Sequence, residues 1–173
     1  MLEIETERLK LRRFTFADLE ELAKINAEPK TRGFMWEGPT DRQVTARDLG
    51  RWVEEYGQGL GHLAMIHKPD GELAGHCGLT EDDGHIILSY ALREDYWCKG
   101  LAPEACRAVL QYGFDQLELE EIWSGTKAEN HAWQEMMKKL GMTLQEIGCG
   151  ADGEEVRYAA SREEFMGDLA RKR

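Results

Sequence analysis

The sequence predicts a mixed α/β fold, α+β in character: one mostly antiparallel sheet with helices on both faces. Two observations lead there. Three strand-like segments between residues 62 and 92 are separated only by tight-turn residues, so they must run antiparallel as neighbours. A strand–helix–strand run over residues 85–127 then demands one parallel crossover. The element order along the chain reads β-α-α-β-β-β-α-β-α-β-β.

Residues 8–14, RLKLRRF, alternate apolar and basic side chains as a half-buried strand does. Thr15 with Asp18 is a variant of the capping box. Leu19, Leu22, Ala23 and Asn26 then share one helix face, and Pro29 stops the helix. Residues 31–39 read as a loop. Thr40 with Gln43 forms a second capping box, opening a helix whose stripe is Leu49, Trp52, Val53 and Tyr56. Strands follow at 62–68, 72–79 and 85–92, joined by the turns Pro69-Asp70-Gly71 and Asp82-Asp83-Gly84. From Gly100 to Leu117 the pattern is helical, with Pro103 tolerated in the first turn. Residues 121–127 form a strand. Asn130 caps a helix striped by Trp133, Met136, Met137 and Leu140, which Gly141 closes. A hairpin of 142–148 and 155–160 follows, across Ala151, Asp152 and Gly153. No repeat, linker or low-complexity tract interrupts the pattern. Residues 1–167 therefore read as one domain and 168–173 as a charged tail.

The 33 acidic and 22 basic residues give a formal charge of −11, which repels nucleic-acid phosphates and excludes them as expected partners. Such a surface attracts a cationic amine, and it equally serves solubility. No run of 18 apolar residues occurs, so no membrane span is expected, and the opening MLEIETERLKLRRF lacks the apolar core of a signal peptide. The expected location is the cytoplasm. Cys77, Cys98, Cys106 and Cys149 match no zinc or disulfide spacing, so free thiols and no metal are expected.

The segment from Tyr96 to Ala102, Tyr-Trp-Cys-Lys-Gly-Leu-Ala, lies between a strand and a helix. A glycine-containing loop at a helix N-terminus exposes unpaired N–H groups and partial positive charge, a site suited to a pyrophosphate. Gly100 permits close backbone approach, Ala102 keeps the first turn narrow, and Lys99 adds charge.

The stretch YWCKGLAPEACRAVLQYGF resembles the acetyl-CoA-binding motif of the GNAT acetyltransferase superfamily. It is most similar to the branch containing the ribosomal-protein N-terminal (alanine/serine) acetyltransferases. ETERLKLRRFTFADLEEL, GELAGHCGL and AENHAWQEMMKKLGM resemble further segments of that branch, in the same order. The resemblance implies the GNAT fold, acetyl-CoA as co-substrate and transfer of its acetyl group to a primary amine, in a protein N-terminus or a small molecule, within a ternary complex. It implies a monomer or homodimer. Tyr90, Ala91 and Leu92 would pair with the pantetheine arm, and Trp97, Cys98, Lys99, Gly100, Leu101 and Ala102 would surround the pyrophosphate. Asn130 would contact the arm near sulfur, and the Leu92 N–H would hold the oxyanion.

The sequence departs from that branch at four places. Cys98 replaces a glycine, and its Cβ would meet an unfavourable φ. Trp133 replaces a serine, Met137 stands where other branches place a tyrosine, and Ile87 stands where many place a glutamate. These losses leave open the alternative of a non-catalytic module binding CoA or a peptide. A thiol at a helix N-terminus also leaves open a route through Cys98. For a base the candidates are His76, Glu81 and Asp82; for an acid, Tyr90. Against these stand a strand histidine satisfied by a neighbour, a solvated turn and a packed aromatic. Phe34, Met35 and Trp36 either line the acceptor pocket or anchor their loop.

Overall fold

Turn chemistry fixes the centre of the sheet. Asp83 and Gly84 take left-handed φ values of 48° and 79°, closing a two-residue turn. That turn joins β4 (Leu73–Asp82) to β5 (His85–Leu92), and β3 (Gly61–His67) pairs antiparallel with β4 on its other side. The computed structural model describes residues 2–32, 38–150 and 153–171.

Eight strands form one sheet. β1 (Glu3–Glu5) and β2 (Leu9–Arg13) lead into β3. β6 (Glu121–Lys127) lies beside β5, followed by β8 (Gly153–Ser161) and, at the edge, β7 (Thr143–Gly150). Every pairing is antiparallel except β5 with β6, which is parallel and registers at Ile87 and Trp123. The crossover is α4 (Leu101–Asp115), whose Ala105, Cys106, Val109, Leu110 and Phe114 are buried. α1 (Leu19–Ala27) and α3 (Arg42–Glu55) pack against each other and against the central strands. α4 covers the opposite face, where Cys106 Sγ lies 3.9 Å from Cys77 Sγ of β4. α5 (His131–Lys139) follows β6, capped by Asn130, which accepts from the Trp133 N–H at 3.3 Å.

Several expectations shift. The Thr15–Asp18 box forms, but it opens a 3-10 turn over Phe16–Asp18 that leads into α1. Pro29 does end α1, yet it also starts a short helix, α2 (Pro29–Arg32), in the position where a proline loses no hydrogen bond. The cap of α3 is Asp41, not Thr40: its carboxylate accepts from the Val44 N–H at 2.9 Å, while Thr40 is buried with its hydroxyl 3.4 Å from that of Thr45. The expected tail from 168 is largely helix: α6 (Arg162–Arg171) crosses the proposed boundary. Phe165 anchors it, 2 % exposed and with its ring 5.1 Å from that of Phe114. Phe34, Met35 and Trp36 lie outside the described residues, as do Ala151 and Asp152 of the last turn.

Candidate active site

Beyond Ile87 and Trp123, β5 and β6 are no longer paired. The direction of the β5 main chain decides what fills the opening. The Arg93 N–H donates to the Ala74 carbonyl at 2.9 Å. By the alternation of an antiparallel ladder, Ala91, Ser89 and Ile87 turn their main-chain groups to β4, and Leu92, Tyr90 and Leu88 turn theirs away. Two bonds agree with this. Ser124 Oγ donates to the Leu88 carbonyl at 2.6 Å, and the Trp97 indole N–H donates to the Leu92 carbonyl at 2.7 Å. The N–H groups of Tyr90 and Leu92 therefore face the opening.

At its end the cleft meets the N-terminus of α4. Gly100 caps that helix with φ 76°. The N–H groups of Gly100, Leu101 and Ala102 have no intrahelical acceptor, and Pro103 removes the fourth donor. Cys98 has φ 58°, the left-handed conformation its Cβ disfavours. The loop is clamped from the bend just ahead of β2, where Arg8 Nη1 donates to the Lys99 carbonyl at 2.6 Å and the same guanidinium pairs with Glu104 at 2.7 Å. Lys99 itself turns away: its ammonium donates to the Asp95 carbonyl at 2.7 Å and lies 5.3 Å from the Tyr96 ring centroid. The basic groups lining the cleft beside α4 and α5 are Arg107 and Lys139, which no local sequence pattern singles out.

The cleft is one cavity of about 780 Å³ that continues past β5 to the face under α2 and α3. Ile87, Ser89, Tyr90, Ala91, Leu92, Asn130 and Trp133 line it, as do His62, His76, Asp48, Arg51 and Trp52. Its polar interior is a hydrogen-bonded chain. Ser89 Oγ lies 2.9 Å from His62 Nε2, His62 Nδ1 lies 2.7 Å from His76 Nδ1, and His76 Nε2 lies 3.1 Å from Asn26 Oδ1. Burial, followed by the charges of Arg32 and Arg51, pushes His62 down to about 3. Burial, then His62 and Arg32, holds His76 well below the ordinary imidazole range.

Outside comparison fits this geometry. A family model described as the acetyltransferase (GNAT) domain matches residues 8–143. The chain belongs to the GNAT acetyltransferase family. It is similar to the uncharacterized N-acetyltransferase p20 of Bacillus licheniformis, 28 % identical over 88 % of this chain and 87 % of that one. It is also similar to the spermidine N(1)-acetyltransferase of Escherichia coli K12, 25 % identical over 79 % of this chain and 74 % of that one. A solved structure of a ribosomal L7/L12 α-N-protein acetyltransferase in complex with coenzyme A has the same fold. Its TM-score is 0.78, over 92 % of this chain and 98 % of that one at 14 % identity. No described helix is long and apolar enough to cross a membrane.

Within this GNAT domain the expected residues divide. Trp97, Cys98, Gly100, Leu101, Ala102, Tyr90, Leu92 and Asn130 come together along the cleft. The Ala91 main chain does not serve it, because that residue pairs with His76 on β4. Lys99 sends its charge elsewhere. His76, expected as a direct base, is fully buried with both ring nitrogens engaged, so no nitrogen is left for a substrate. Tyr90, expected as an acid, projects to the α4 face, opposite His76, and burial raises its hydroxyl above the usual range. Glu81 and Asp82 sit exposed at the mouth. Met137 is core, and Trp133 is a wall packed edge-on to Tyr158. The residues that sequence reasoning missed are His62 and Ser89. The signal was alternation: His62, Gly78 and Ser89 occupy facing positions on β3, β4 and β5.

Proposed function

We propose that this GNAT acetyltransferase binds acetyl-CoA between β5 and β6 and transfers the acetyl group directly to a primary amine. The observation that carries this is the opening beside β5, faced by the Tyr90 and Leu92 N–H groups and ending on the unpaired N–H groups of α4. Three orphan donors at a helix N-terminus fit a pyrophosphate. Arg107 and Lys139 add charge for the remaining phosphate. An unpaired strand edge fits the pantetheine amides as an added strand would.

Acetyl-CoA supplies the thioester; the rest is the work of this chain. The Tyr90 and Leu92 N–H groups donate into the space where the thioester oxygen and the first pantetheine amide lie, and charge developing on that oxygen is stabilised by a donor already in place. Asn130, fixed by its bonds to Trp133 and Thr126, walls the sulfur side. Trp133 excludes water where the branch has a serine, so the thiolate leaves without a dedicated acid from α5. The amine enters from the α2–α3 side, past Trp52 and Asp48. Two amine classes are proposed as acceptors, a protein N-terminus and a small polyamine, in line with what the names of the two characterised relatives describe.

Titration calorimetry with acetyl-CoA, followed by thiol release in the presence of spermidine, of peptides with free N-termini and of aminoglycosides, tests this reading. Binding with amine-dependent release is expected. Binding without release from any amine would favour a module that holds CoA without turnover, and no binding would overturn the proposal.

A further inference from the structure

Resting on the transfer proposed above, we infer that Ser89 Oγ is the group that meets the acceptor amine, with His62 behind it as the proton acceptor. The carrying observation is the direction of the buried hydrogen-bonded chain. The Asn26 amide presents Oδ1 to His76, so His76 Nε2 donates. A neutral imidazole has one donor nitrogen and one acceptor, so His76 Nδ1 accepts from His62 Nδ1. His62 Nε2 is then an acceptor, and Ser89 donates its hydroxyl proton to it. This leaves the Ser89 oxygen turned to the cavity with lone pairs to receive an N–H. At the far end the Asn26 amide N–H donates to Thr45 Oγ1 at 3.4 Å, so the chain closes inside the protein.

The surroundings hold this arrangement. Gly78 lies between His62 and Ser89 in register, and its missing side chain lets the imidazole reach across β4. A Cβ there would lie 2.4 Å from His62 Cα. Trp52 stacks on the His62 ring at 4.5 Å and 13°, fixing its plane. The charged groups lining the cavity on this side, among the described residues, are Lys30 and Arg32 of α2, Asp48 and Arg51 of α3, and Glu81 and Asp82 of β4. Burial, with Arg32 and Arg51, keeps His62 unprotonated, so its Nε2 lone pair carries no resting proton, and the same effects make it a weak base that holds the transferred proton only in passing.

The step balances. The neutral amine nitrogen forms a bond to the acetyl carbon, and the nitrogen, now positively charged, becomes far more acidic than a free ammonium. Its proton passes to Ser89 Oγ as the serine proton passes to His62 Nε2. The positive charge is shared with His76 through the 2.7 Å contact. The C–S bond breaks with its electron pair on sulfur, and the proton returns through Ser89 to the thiolate. The products are the amide and CoA thiol. Ser89 is the catalytic residue; His62 and His76 act through it.

The test uses the full chain as wild type, Ser89→Ala, Ser89→Thr, His62→Gln and the Ser89→Ala/His62→Gln pair, with spermidine or an Ala-N-terminal peptide as the amine. Acetyl-CoA affinity, thermal midpoint and kcat from pH 6 to 10 are measured for each. The expected result for Ser89→Ala is unchanged acetyl-CoA affinity, kcat lower by about 100-fold, and a log kcat that keeps rising with pH where the wild type levels off. Ser89→Thr keeps the hydroxyl and restores most of the rate. The double variant is no slower than the worse single one, as for groups acting as a unit. A Ser89→Ala enzyme with wild-type kcat and pH profile overturns the inference and leaves acetyl transfer standing. A wild type that neither binds acetyl-CoA nor releases thiol overturns both. Because Ser89 is only half-buried and Ser89→Ala removes a single hydrogen bond at the cavity end of the chain, the test survives if His62→Gln does not fold.

Discussion

The Arg8 guanidinium donates to the Lys99 carbonyl at 2.6 Å, so a residue in the bend ahead of β2, ninety-one positions earlier, sets the shape of the loop that opens α4. The same side chain pairs with Glu104 inside the first turn of that helix, and Glu104 also accepts from the Thr6 hydroxyl. Arg8→Ala is expected to weaken acetyl-CoA binding about fivefold, the equivalent of ~1 kcal/mol, with little change in kcat once cofactor saturates. Calorimetry and steady-state kinetics check it together.

Cys98 adopts a conformation that glycine takes without cost. Cys98→Gly is expected to raise stability by about 1 kcal/mol, the relieved strain less the entropy glycine loses on folding, and to tighten acetyl-CoA binding a few-fold, with turnover retained. Cys98→Val, β-branched at the same φ, should move both quantities the other way. Loss of all turnover in Cys98→Gly would instead point to a covalent route through the thiol.

The buried histidines make the fold acid-sensitive. Both have native values far below the unfolded value of about 6.5. Below that value the unfolded chain takes up protons that the native state refuses, so stability is full above it and falls as the pH drops towards 3. The slope is ~1.4 kcal/mol per pH unit for each histidine. Urea melts between pH 7 and 4 should show that loss, and a His62→Gln variant should show a shallower one.

Arg107 donates to the Lys139 carbonyl at 3.5 Å, which ties α4 to α5 beside the cleft. Arg107→Ala is expected to weaken CoA about tenfold, with a smaller effect in high salt because the interaction is exposed. Calorimetry at two ionic strengths distinguishes lost charge from lost packing.

Phe165 decides whether α6 belongs to the domain. Removing its ring from contact with Phe114 should cost about 3–5 kcal/mol, visible as a lower urea midpoint. A free tail would show no change.

The sequence was most legible where structure is local. Asp83-Gly84, Asn130 and the Thr15–Asp18 box act within a few residues, and the strands and helices beside them fell close to where periodicity put them. The loop from Tyr96 to Ala102 was readable because one glycine and one helix start create its donors. The chain from Ser89 through His62 to His76 was not, because it exists only once three strands are in register. His76 showed as a candidate and its partners did not, so a residue without a free nitrogen stood in for the Ser89 hydroxyl at the other end of the chain. Lys99 misled for a related reason: its position in the loop was clear, but the carbonyl of Asp95 claimed its charge. α6 was hidden by its Arg, Glu and Asp content, which masked a single buried phenylalanine.

Ser89 and Tyr90 are chain neighbours whose side chains leave β5 on opposite faces, while the Tyr90 N–H leaves along a third direction, into the opening beside β6. One strand thus lines a single cavity from both of its faces, with a different set of side chains on each. On the proposed route for the amine, substitutions among the residues of α2 and α3 re-tailor one end of that cavity while the free edge of β5 keeps its hydrogen-bonding pattern. A new acceptor preference in this scaffold is then an engineering problem of one wall, and the end proposed for the thioester can be left untouched.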